Sequence, residues 1–196
     1  MAGLVLNPKM QEPDDDALMA RVVARDGAAF RILIDAYQQR PYRIAWRMLN
    51  DREEAEDVVQ EALLRLWSHA TDWQAGGPGV AAWLARVATN LCLDRLRKRR
   101  FSSDEAVPER VDTAPLADAI MDEEIMRMQT IAAIQALPER QRAAIILTYY
   151  EDQSNAEAAS TLDLNIKAFE SLLLRARRAL RESLVQRGLV STGDLM

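Results

Sequence analysis

Cysteine and histidine are almost missing from these 196 residues: there is one of each, Cys92 and His69. A lone cysteine excludes an internal disulfide and fits a reducing, cytoplasmic setting. With a single histidine beside it, no Cys/His ligand set for a transition metal can be assembled, and no cofactor is expected. Glycine and proline are scarce at seven each, and neither a glycine-rich phosphate loop nor a run of alternating strand pattern stands out. No apolar stretch approaches the roughly 18 residues that cross a bilayer. The opening MAGLVLNPKMQEPDDD also lacks the basic start and long apolar core of a signal peptide. What is left is an apolar-rich, charged, helix-patterned chain, long enough for one medium domain or two small ones.

The net charge of −5 conceals segregation. Acid gathers at Glu12–Asp16, at Asp51–Glu61 and between Asp104 and Glu124. Base gathers at Arg86, Arg95, Arg97, Lys98, Arg99 and Arg100, then at Arg175, Arg177, Arg178, Arg181 and Arg187. One basic run is equally well a solvated helix end, since cations favour helix C-termini. Two runs in two separate units point to a polyanion contacted twice.

Helical periodicity dominates. Asp14–Asp16 cap a first helix with Leu18, Val22 and Val23 on its apolar face, ending near Gly27. A second carries Phe30, Leu33, Ile34 and Tyr37, and a third, after Pro41, carries Ile44, Ala45, Met48 and Leu49. Asp51 and Glu54 resemble a capping box opening the next helix. TDWQAGGPG (71–79) reads as a loop, followed by a helix over about 80–100 that buries Trp83, Leu84, Val87, Leu91 and Cys92. Residues 101–117, with Pro108 and Pro115, read as an acidic linker. Beyond it, helices are expected over about 118–137 and 138–151. Ser154-Asn-Ala-Glu157 is a better capping box and opens a short helix. LDLN (162–165) makes a turn, and a basic helix runs from about Ile166 to Arg187, stopping at Gly188. A short helix, a tight turn and a longer basic helix spell helix-turn-helix. The expected fold class is all-α: an N-terminal domain over 1–100, the linker, and a C-terminal domain over 118–196.

One helix poses a question. In AEDVVQEALLRLW (55–67), Ala55, Val58, Val59, Ala62, Leu63, Leu66 and Trp67 form an apolar face, while Asp57, Gln60 and Glu61 lie opposite. Leu64 falls among those polar residues. A stray surface leucine is ordinary; the motifs around it give it another meaning.

DREEAEDVVQEALLRLW (51–67), WLARVATNLCLDRLRKRR (83–100) and LPERQRAAIILTYYEDQSNAEAAS with RARRAL (137–180) together resemble an extracytoplasmic-function (group 4) sigma factor of bacterial RNA polymerase. The resemblance implies that Asp57, Gln60, Glu61 and Leu64 dock on the clamp helices of the polymerase β′ subunit, the leucine filling an apolar recess. It implies that Asn90 lines a pocket for flipped bases of the minus-ten element, with Arg86, Arg95, Arg97, Lys98, Arg99 and Arg100 on phosphates. The helix-turn-helix would read the minus-thirty-five element through Lys167, Glu170, Ser171, Arg175 and Arg178, while Phe169, Leu173 and Leu174 serve the core. Helices of the second domain would meet the β flap, and an anti-sigma factor would hold the protein inactive.

The chain departs from the family at 168–172, Ala-Phe-Glu-Ser-Leu, where Lys and Arg commonly stand in place of Glu170 and Leu172. Two readings of Glu170 stand: an acceptor for a cytosine amino group, or an intrahelical partner of Lys167. Trp73, in the loop, is either a base platform or a packing residue, whereas Trp83 belongs to the core. An autonomous helix-turn-helix regulator would lack the Asp57/Gln60/Glu61 face and would need a dimerising helix, for which no heptad run exists. An enzyme is disfavoured because Glu53, Glu54, Glu56, Asp57 and Glu61 surround one helix instead of converging from several elements.

Overall fold

The computed structural model describes residues 14–102 and 118–190; the expected linker from residue 103 on, the first thirteen residues and the tail from 191 lie outside the described residues. Among the described residues every regular element is helical. The first half contains α1 (Asp15–Val23), α2 (Gly27–Tyr37), α3 (Gln39–Leu49), α4 (Arg52–Ser68), one 3-10 turn (Ala70–Asp72) and α5 (Gly79–Ser102). The second contains α6 (Asp118–Gln135), α7 (Glu139–Tyr149), α8 (Asn155–Thr161) and α9 (Ile166–Gln186).

The helix starts follow from side chains that satisfy otherwise unpaired N–H groups. Asp14 accepts from the Ala17 N–H at 3.1 Å. Asp26 takes two N–H groups, of Ala28 and Ala29, and is braced by Arg21 at 2.7 Å. The box at Ser154 is complete, with the Glu157 N–H donating to Oγ and the Ser154 N–H donating to Oε2 of Glu157. The expected box at Asp51 is only half made. Asp51 accepts from the Glu54 N–H at 3.0 Å, but the Glu54 carboxylate turns away to Arg99 on α5. α3 starts two residues before Pro41, which occupies the first turn where a missing N–H costs nothing.

α3 sits at the centre of the first half, its Ile44, Ala45 and Met48 fully buried between α4 (Ala55, Val58, Ala62, Leu66) and α5 (Leu84, Ala85, Ala88, Leu91). The second core closes around Phe169, with Ile145, Ile146, Ala158, Leu173 and Ala176. Two expected core residues lie outside. Val23 is exposed while Met19 takes its place in the interior, and Leu174 points to solvent. The two halves also pack on each other, α3 against α7 and α5 against α7 and α8.

Candidate functional site

α4 turns Ala55, Val58, Ala62 and Leu66 inward, which fixes the direction of everything else on it. Asp57 and Gln60 are exposed on the opposite side, and Leu64 beside them is 64% exposed. Glu61 is the most constrained member of the row. It accepts from Arg65 at 2.6 Å along the helix and lies 3.5 Å from Arg95 of α5. The structure therefore brings all four residues onto one surface, with Glu61 already ion-paired there.

The loop before α5 is organised by the N-terminal helix. Asp15 accepts from the Tyr37 hydroxyl and from the Val80 N–H, both at 2.7 Å, so it caps α5 from 65 residues away. Asp16 accepts from the Trp73 indole N–H and from the Gly76 N–H, both at 2.9 Å. The Trp73 bond, then the Gly76 bond, hold the Asp16 carboxyl below the usual aspartate range. Trp73 is thus fastened by its edge and packed on the core. Gly79 has φ +82°, and a Cβ there would lie 3.0 Å from Asp15 Oδ2, so the chain can approach that carboxylate only as glycine. Cys92 is buried, its thiol pushed up to about 12 chiefly by desolvation, which leaves it inert.

α5 distributes its cations over two sides. At about 100° per residue, Arg86, Asn90, Arg97 and Arg100 fall within about 80° of one another; all four are exposed. Arg95 and Arg99 lie on the far side and reach back to α4, to Glu61 and Glu54. Arg97 also pairs with Asp94 at 2.9 Å, and Arg100 approaches Glu139 at 3.7 Å. The six basic residues expected together on DNA are therefore split, with Lys98 between the two sets.

In α8–turn–α9, Asn165 caps α9 by accepting from the Ala168 N–H at 2.8 Å. Phe169, Leu172 and Leu173 are buried. Leu172 thus belongs to the core and takes no place on the outer face. That face carries Lys167, Glu170, Ser171, Leu174, Arg175 and Arg178, all exposed. Among the described residues no ion pair joins Glu170 to Lys167. Leu174, 69% exposed, lies in the middle of the row. Sequence reasoning placed it in the core because three leucines in succession, 172–174, carry no phase of their own. Arg178 pairs with Glu182 at 2.9 Å, and Arg177 turns inward over the Tyr149 ring at 5.4 Å.

Missed altogether was a row on α3. Arg40, Arg43 and Arg47 converge on Glu151 from the other half, and Arg142 of α7 donates to the Met48 carbonyl at 2.7 Å. The spacing i, i+3, i+7 was visible, but such a row reads as a solvated face until its partner is placed. Among the described residues no group of carboxylates, His and Cys is arranged to hold a metal ion, and no helix is long and apolar enough to cross a membrane.

A helical, two-unit chain with a helix-turn-helix and a second cationic, amide-bearing face has the make-up of a DNA-binding protein. Comparison with known proteins agrees. Residues 33–102 match Sigma-70 region 2, and residues 127–180 match Sigma-70, region 4. The first covers 70 residues and the second 54, together 124 of 196. The chain belongs to the sigma-70 family of RNA polymerase sigma factors, in its ECF branch.

It is 32% identical over 158 residues to ECF RNA polymerase sigma factor SigE of Mycolicibacterium smegmatis, covering 79% of this chain but only 61% of that one. It is 29% identical over 181 residues to the SigK of Mycobacterium tuberculosis, covering 90% of this chain and 97% of the other. Among solved structures it is similar to CnrH in complex with the cytosolic domain of CnrY, at 25% identity and a TM-score of 0.66 over 88% of this chain and 98% of CnrH. It is also similar to the sigma factor RpoE in complex with the anti-sigma factor NepR from Bartonella quintana, at 26% identity and 0.61 over 79% and 96%.

Proposed function

We propose that this chain is a group 4 sigma factor without catalytic activity that docks on core RNA polymerase through the outer face of α4. It acts in the cytoplasm, where the polymerase is, and needs no cofactor. Asp57, Gln60 and Glu61 supply charge-assisted hydrogen bonds to basic groups of the β′ clamp helices, and Leu64 enters an apolar recess between them. The observation that carries this reading is Leu64 itself: a large apolar side chain kept exposed inside a polar row, on a helix with ample interior room for leucines.

Promoter recognition divides between two helices. On α5, Asn90 offers an amide to a flipped base of the minus-ten element, flanked by Arg86, Arg97 and Arg100 for phosphate. The loop tied down by Asp15 and Asp16 sets the approach. On α9, Lys167 and Arg175 steer to phosphate while Glu170, Ser171 and Leu174 meet base edges of the minus-thirty-five element, the leucine suited to a thymine methyl. Tyr149 and Tyr150, exposed at the end of α7, offer apolar surface to the β flap. Regulation by an anti-sigma factor is supported by CnrH and RpoE, whose structures are of complexes with CnrY and with the anti-sigma factor NepR.

The test is transcription in vitro with purified core polymerase on a library of genomic fragments. Transcripts that start downstream of a shared pair of elements, and only when this chain is added, are expected. Failure of the chain to associate with core polymerase would overturn the proposal.

A further inference from the structure

α1 lies ahead of the stretch matched to Sigma-70 region 2, which begins at residue 33, yet its first turn holds the loop that leads into α5. Asp14 caps the helix through the Ala17 N–H, so the two carboxylates that follow are not needed for its start. All four of their oxygens go elsewhere, one donor to each. Asp15 Oδ1 takes the Tyr37 hydroxyl of α2 and Oδ2 the Val80 N–H of α5, both at 2.7 Å. Asp16 Oδ1 takes the Trp73 indole N–H and Oδ2 the Gly76 N–H, both at 2.9 Å.

Acidic residues in a first helical turn are ordinary, because the helix dipole favours them there. The dipole explains their sign but not their partners, three of which lie 57, 60 and 65 residues away. Trp73 packs its ring on the core and is held at its edge by Asp16. Gly76 is held by its N–H at φ +74°, where a side chain would be strained. Between these two fixed points stand Gln74 and Ala75, both exposed. With the indole and Gly76 N–H groups engaged, Gln74 is the hydrogen-bonding side chain that this short turn turns outward. A carboxamide both donates and accepts, so it can pair with a base edge. Such a contact discriminates only when the reading group is placed in advance by its supporting residues.

We propose that Asp16 is a positioning residue for minus-ten recognition, holding the turn so that Gln74 meets one base of the element. Asp15 beside it fixes the start of α5, the helix that carries Asn90. The inference rests on the promoter reading above and adds α1 to the base-reading apparatus.

The test is promoter selection by holoenzyme assembled from core polymerase and the full chain. One library is randomised in the minus-ten element and a second in the minus-thirty-five element. Asp16→Ala removes both loop acceptors, and Gln74→Ala removes the reading amide. Each should flatten base preference at the same minus-ten position by about tenfold, the order that a base-edge amide contact supplies. The minus-thirty-five preferences should stay as they are. In the double variant the loss should be no greater than in either single one, because both changes break one contact. Tyr37→Phe removes a bond to α1 that does not touch the loop; it should lower Tm and keep every base preference. Asp16→Asn, which retains one acceptor, decides the matter should Asp16→Ala not fold by circular dichroism.

A native minus-ten preference in a folded Asp16 variant would overturn the inference. So would a uniform loss across both libraries, or an equal flattening by Tyr37→Phe, since either marks a merely structural role. Flattening at different positions in the Asp16 and Gln74 variants, or in one of them alone, would also overturn it. Native holoenzyme with no preference at either element would instead sink the promoter reading, and the inference with it.

Discussion

The Trp73 indole N–H donates to the Asp16 carboxylate at 2.9 Å across 57 residues, tying the loop before α5 to the first helix. The same carboxylate takes the Gly76 N–H. Both bonds favour its charged form and hold its pKa down. A folded pKa below the unfolded one contributes stability that is present above the unfolded value, near 3.9, and is lost as pH falls through the folded value. Asp16→Asn should therefore lower Tm at pH 7, and the gap from the native chain should narrow as pH drops below about 4. A gap that stays constant to pH 3 would contradict the assignment.

Leu64→Arg should separate folding from docking. The side chain is mostly solvated, so stability should change by no more than about 0.5 kcal/mol. Affinity for core polymerase should fall by at least about 2 kcal/mol, roughly 30-fold, if the leucine fills a central recess. Glu61→Lys should also abolish docking, but it places a cation between Arg65 and Arg95 and will lower Tm as well. Titration calorimetry against core polymerase, beside thermal melts, distinguishes the two variants.

On α9 the outer row predicts two different phenotypes. Lys167→Ala should weaken binding to all minus-thirty-five sequences and reduce the salt slope by about one. Leu174→Ala should leave the salt slope alone and relax preference at one base pair, costing about 1 kcal/mol of discrimination for thymine. Selection of minus-thirty-five variants by holoenzyme reads both. A uniform loss of affinity in the Leu174 variant would return that leucine to a packing role.

These residues also mark where sequence was informative and where it was not. Capping at Ser154–Glu157 and the odd leucine at 64 were legible because each depends on neighbours within one or two helical turns. The Leu172–Leu174 run was not, since three consecutive leucines span more than half the helix circumference and any of them can face inward. Half of the Asp51 box failed for a different reason: Glu54 found Arg99, 45 residues away. The Glu151 cluster was hidden most completely. Its carboxylate and the α3 arginines are each ordinary surface residues in sequence, and only the packing of α3 against α7 removes the Glu151 carboxylate from water beneath the still partly exposed arginines.

The cations of α5 give the last prediction, because their two sides should behave as different kinds of residue. Arg97 is exposed on the Asn90 side, and its local pair with Asp94 is an exposed i, i+3 contact that competes weakly with phosphate. Arg97→Ala should therefore cut the salt dependence of promoter binding by about one unit and leave Tm nearly unchanged. Arg95 is only 25% exposed, sits against Glu61, and has one guanidinium nitrogen buried without a protein partner. Its loss should act through structure: Arg95→Ala frees Glu61, loosens α4 on α5 and lowers Tm, with the salt slope intact. Arg99→Ala should follow Arg95 through Glu54. Melting curves and binding isotherms at several salt concentrations make the sorting direct. If Arg95→Ala and Arg97→Ala shift the salt slope equally, the two sides of α5 are not functionally distinct, and the phosphate track must wrap the helix.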